Sequence, residues 1–190
     1  MEEEQLAIPF DEKALKANVA KKVFTKLRKL TLAFFKSYTY IVNREFEPDE
    51  EIIGESNNEK KALVLYVPSK HDSATIVKDN VVRKLNSKGY TVHVNFPSVE
   101  SSYDYSNFDF ICYITPIYMK RVSRPLCEVM VSSKYQNKRV AIISVGGQMN
   151  SKDELNYMKK LLDPVNSVSL IKVKKDSVKV LNDFIEGAIV

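Results

Sequence analysis

From Lys60 onward the chain repeats one pattern, a short apolar run rich in Val, Ile and Tyr followed by a stretch with helical spacing. The runs fall at residues 62–67, 90–96, 108–115, 140–145 and 168–173 and read as five strands. Between them, residues 73–85, 122–133 and 152–162 have the spacing of helices, and 177–189 supplies a terminal one. Gly89 after the first of these helices and Asp163-Pro164 after the third are fitting stops. Central runs that are apolar on both faces need cover on both sides. A right-handed crossover lays each connecting helix over the sheet. The expected architecture for residues 60–190 is therefore an α/β three-layer sandwich with a five-stranded parallel sheet.

The chain upstream obeys a different period. Leu15, Val19, Val23, Leu27, Leu30, Phe34, Tyr38 and Ile41 recur at steps of three and four, which places them on one stripe of a helix spanning residues 13–42 with Asp11 as its N-cap. From Lys13 to Arg44 there are nine Lys and Arg and no Asp or Glu, whereas the rest of the chain holds 20 basic and 24 acidic residues. The formal charge of +5 is thus a local property of this helix, and nucleic acid is not an expected partner of the whole surface. Residues 45–59 turn acidic, contain Pro48, Gly54 and Asn57-Asn58, and keep no apolar period. The expected map is a flexible N-terminus (1–12), a basic amphipathic helix (13–43), an acidic linker (44–59) and the α/β domain (60–190). Three roles suit the helix: lying on an anionic membrane surface, pairing with a second copy or another protein, or packing on its own domain.

No apolar run approaches the roughly 18 to 20 residues that cross a bilayer, and the acidic start MEEEQ lacks the basic n-region of a secretory signal, so a cytoplasmic protein is expected. Cys112 and Cys127 lie in apolar surroundings without metal or disulfide spacing and read as buried thiols. His71 reads as a solvated loop residue, and His93, alternating with apolar neighbours, as a partly buried structural one. No Ser/His/Asp set, carboxylate pair or metal cluster is present in the pattern, so no catalytic residue and no metal ligand is assigned.

In an open α/β sheet ligands bind beyond the carboxyl ends of the strands, where the strand order reverses. After the first strand the loop reads Pro68-Ser69-Lys70-His71-Asp72-Ser73-Ala74-Thr75, where hydroxyls and amides at a helix start can surround a phosphate, or where Asp72 or Ser73 simply caps the helix. The third strand runs into Thr115-Pro116-Ile117-Tyr118-Met119-Lys120-Arg121, and the fourth into Ser144-Val145-Gly146-Gly147-Gln148-Met149-Asn150. Taken together these segments resemble the flavodoxin family, in particular its short-chain branch and relatives such as menaquinone-dependent protoporphyrinogen oxidase, over residues 60–190. The resemblance implies a flavodoxin-like fold binding FMN. Ser69, Lys70, Ser73, Ala74 and Thr75 would then hold the phosphate, Pro116, Ile117, Tyr118 and Met119 would border the ring with Tyr118 stacking, and Gly146 and Gly147 would allow close backbone approach. It further implies electron transfer or a small reductase activity, with a redox protein or a quinone-like molecule as partner. Two positions depart from the family pattern, Asp72 where relatives have Gly and Lys120 where they commonly have a small residue. These departures, with the added helix, support the alternative of a cofactor-free interaction or regulatory module.

Overall fold

The computed structural model describes residues 12–55, 58–101, 103–147 and 149–190, with side chains in the first helix from Lys22 onward. The expected flexible start, the N-cap Asp11, and Asn57 and Gln148 lie outside the described residues. The chain divides into two compact units, residues 1–40 and 41–190.

The first unit holds most of α1 (Glu12–Asn43), a 32-residue helix. Of its apolar side chains Val23, Phe24, Leu27, Leu30 and Phe34 are each more than half exposed, while Tyr38 is half-buried. Within the helix Phe34 and Phe35 meet edge to face, ring centroids 6.0 Å apart.

In the second unit, β2 (Lys60–Tyr66), β3 (Tyr90–Asn95), β4 (Phe110–Pro116), β5 (Arg139–Val145) and β6 (Ser167–Val173) form the five expected strands, all parallel. A sixth strand, β1 (Glu51–Ile53), comes from the acidic segment and pairs antiparallel with β3, giving the order β1-β3-β2-β4-β5-β6. Too short and too acidic to show a period of its own, β1 exists because β3 would otherwise present an unpaired edge. Gly54 ends it at φ 120°, where a Cβ would fall 2.6 Å from Asn86 Nδ2. His93 is half-buried on β3, its Nδ1 2.9 Å from Glu50 Oε1, the structural role expected of it.

Alternate residues of the central strands feed two cores. Val64, Cys112 and Ile143 pack under α2 (Ser73–Ser87) and α5 (Val178–Ala188), which contribute Val77, Val81, Leu181 and Ile185. Leu63, Ile111 and Ile142 pack on the opposite face under α3 (Arg124–Ser132) and α4 (Asp153–Lys160), which contribute Leu126, Met130, Leu155 and Met158. Every residue of β4 is buried, as a central strand covered on both faces must be. Three layers result. Burial raises the thiol pKa of both cysteines: that of fully buried Cys112 goes far up, and that of half-buried Cys127 rises to about 11.

Candidate functional site at the switch point

From β2 the chain crosses to β3 on one side and then returns to β4 on the other, so the strand order reverses between β2 and β4. The loops leaving β2, β4 and β5 therefore diverge around one crevice at the carboxyl end of the sheet.

The loop after β2 is a turn closed by the Asp72 amide donating to the Ser69 carbonyl at 3.2 Å. Asp72 then takes a left-handed conformation, φ 54°, and α2 begins at the next residue. Its carboxylate makes no cap bond. Instead Ser69 Oγ accepts from the Ala74 amide at 3.0 Å and lies 2.9 Å from Ser73 Oγ. Ser69, Ser73, Ala74 and Thr75 are thus gathered at the first turn of α2, where amide donors lack intrahelical acceptors and the helix dipole is positive. Lys70, His71 and Asp72 are exposed.

The loop after β4 extends the sheet by one rung, the Ile117 amide donating to the Val145 carbonyl at 3.1 Å. Tyr118 and Arg121 then exchange backbone hydrogen bonds of 3.2 and 2.9 Å across a two-residue turn. Both turn residues, Met119 (φ 47°) and Lys120 (φ 65°), sit in the left-handed region, the type I′ arrangement that normally selects Gly or Asn. This turn directs Tyr118 back over the first loop, where its hydroxyl accepts from the Lys70 amide at 3.4 Å.

After β5, Gly146 (φ 81°) donates to the Val173 carbonyl at 2.9 Å and Gly147 (φ 75°) follows. A Cβ on Gly147 would stand 3.4 Å from Ile117 Cγ2, so this glycine is where the second and third loops touch. Beside that contact lies a cavity of about 460 Å³, bounded by Ile117, Met119 and Lys120 on one loop and by Gly147 and Ser151 on the other. Its remaining lining is an ion pair absent from the sequence expectation, Lys172 Nζ with Glu154 Oε1, whose side chains are only 4% and 1% exposed. Ser144 Oγ donates to the same carboxylate oxygen at 3.3 Å. Nothing in the sequence singles out Lys172, which lies inside a strand, or Glu154, in the first turn of a helix; only Ser144 stands in a segment already named.

The loop contacts thus link all three segments named from the sequence: Lys70 to Tyr118, and Ile117 to Gly147. Pro116 is the buried last residue of β4, Met119 is exposed at the turn, and Gly146 has open space where a side chain would be. The group that such a site would take is phosphorylated and planar. Hydroxyls and helix-start amides for an anion, an aromatic ring on the second loop and two glycines on the third are of the right chemistry for it.

No protein-family profile and no curated protein matches the chain. Solved structures do. A short-chain flavodoxin associated with a bacterial microcompartment superposes with a TM-score of 0.56 at 16% identity, covering 68% of this chain and 97% of that one. Flavodoxin 2 from Bacillus cereus gives 0.54 at 12% identity over 68% and 97%, and the flavodoxin of Streptococcus pneumonia TIGR4 gives 0.52 at 15% identity over 66% and 95%. The chain therefore contains a domain of the flavodoxin-like fold.

Proposed function

We propose that the second unit binds FMN non-covalently at the three-loop crevice and acts in electron transfer or as a small flavin-dependent reductase. The observation that carries this reading is the junction of the loops: a hydroxyl-lined helix start joined through the Lys70–Tyr118 contact to an aromatic-bearing turn, itself seated on Gly147. FMN held there would supply the redox chemistry. The chain's own part is to bind and orient. Ser69, Ser73 and the amides of the first turn of α2 would take the phosphate, with Lys70 adding positive charge at the rim. Tyr118 would flank the ring, and the exposed Met119-Lys120 turn would leave one edge open to a redox protein or a quinone-like molecule.

One observation favours a second reading, a cofactor-free interaction module. Ser69 Oγ already accepts the Ala74 amide, so the loop satisfies itself without a phosphate, and Asp72 brings a carboxylate to the same turn. Mixing the purified full chain with FMN, desalting it and recording the visible spectrum separates the two. Retained flavin bands, with affinity lowered about tenfold by Tyr118→Ala, support the first. A colourless protein without measurable affinity leaves the second standing.

A further inference from the structure

We propose that α1 docks the protein on the surface of an anionic lipid bilayer, lying in the interface with its apolar face in the acyl boundary. Successive helical residues advance by about 100°. On that spacing Lys22, Lys26, Lys29 and Lys36 share one side of α1 with Leu32 at its edge, Val23, Phe24, Leu27, Leu30, Phe34 and Phe35 occupy the other, and Arg28 stands at the boundary beside Phe35. Each of those six apolar side chains is more than half exposed. Burying one of them in an apolar phase is worth about 1.5–3 kcal/mol, so a helix side carrying six of them favours an apolar surface strongly.

Charge selects the occupant. Between Lys13 and Arg44 nine cations stand without a single carboxylate, whereas the fifteen residues that follow, 45–59, carry seven acids and no base. Two copies of α1 laid side by side would bring Lys26 and Arg28 along both flanks of the seam with no acidic partner, the reverse of the paired charges that specify a coiled coil. Nucleic acid would satisfy the cations and leave the phenylalanines in water. An anionic bilayer satisfies both faces at once, cations among the headgroups and Phe and Leu below them. The helix lies on the membrane and does not cross it, since among the described residues no helix is long and apolar enough to span one.

The test is co-sedimentation of the full chain with vesicles of phosphatidylcholine alone and of phosphatidylcholine with phosphatidylserine, at low and high salt. The proposal expects binding to the anionic vesicles, little to the neutral ones, and release as salt rises. Lys22→Ala with Lys29→Ala lowers the partition coefficient about thirtyfold. Leu30→Glu with Phe34→Glu abolishes binding, while circular dichroism and thermal unfolding of the α/β unit stay unchanged. Sedimentation velocity without lipid is expected to show a monomer. Absence of binding to phosphatidylserine vesicles at low salt overturns the proposal. So does a lipid-free dimer that the Glu pair dissociates, which assigns the face to self-association, or retention on nucleic acid that the Glu pair leaves intact while vesicles fail to bind.

Discussion

Asp72 and Lys120 are the two residues at which this chain departs from the flavodoxin pattern, and both stand at positive φ, 54° and 65°. From the sequence they read as a charge and a bulk in the wrong place. The backbone shows a further reason why a small residue would suit both positions, since a left-handed conformation costs an L-residue roughly 1–2 kcal/mol. Asp72→Gly is therefore predicted to stabilise the fold by up to about 1 kcal/mol, net of the added freedom of the unfolded chain, and to tighten FMN binding by removing a carboxylate from the phosphate turn. Urea unfolding and an FMN titration of the variant check both, and lower stability with weaker binding counts against this reading of the loop. The Lys172–Glu154 pair belongs to the same scale and was not legible at all. Lys172 shares a face of its strand with Val168 and Leu170, which pack toward α4, and only the placement of Glu154 on α4 gives it a partner. Lys172→Met would strand a buried carboxylate and cost about 3–5 kcal/mol, whereas adding Glu154→Met should return most of it. A double variant whose loss equals the sum of the losses of the two single variants would show that the charges are not coupled.

Elements were legible where the apolar period was long enough to carry them. All five parallel strands and the helices between them were visible in the runs, because each buries one or both faces in a core built from the same residues. Their ends shifted by up to two residues, as at α3 and α4, since caps and last turns depend on local geometry. The short β1 was invisible, for its stability comes from the edge of β3 and not from its own sequence. Between elements, Glu186 on α5 receives Lys84 Nζ of α2 at 2.9 Å and also pairs with Lys88, the residue that caps the end of α2. Hydrogen bonds from Lys88 and Lys84 lower its pKa from the ordinary 4.5 to about 2. The depressed folded-state value means that the α2–α5 contact adds stability above about pH 4.5 and loses it as pH falls toward 2. Glu186→Gln should accordingly flatten the acid dependence of the urea midpoint in that window while leaving neutral-pH stability only slightly lower. An acid dependence identical to that of the parent chain would contradict the assignment.

For the whole molecule, the sequence sets a basic helix apart from a mildly acidic remainder. The fold could be read because alternation of strand and helix with doubly buried central runs admits few topologies. The site was legible as three loop sequences in the right order, and the structure adds what order alone does not contain, the Lys70–Tyr118 and Ile117–Gly147 contacts that join them. Whether these loops hold FMN is decided by the backbone amide shifts of the full chain during titration with FMN. Saturable shifts are expected at Lys70, Ala74, Tyr118 and Gly147 together, with a common dissociation constant and little change along the opposite end of the sheet. Amides that stay unmoved at all four positions through millimolar FMN would contradict FMN binding there.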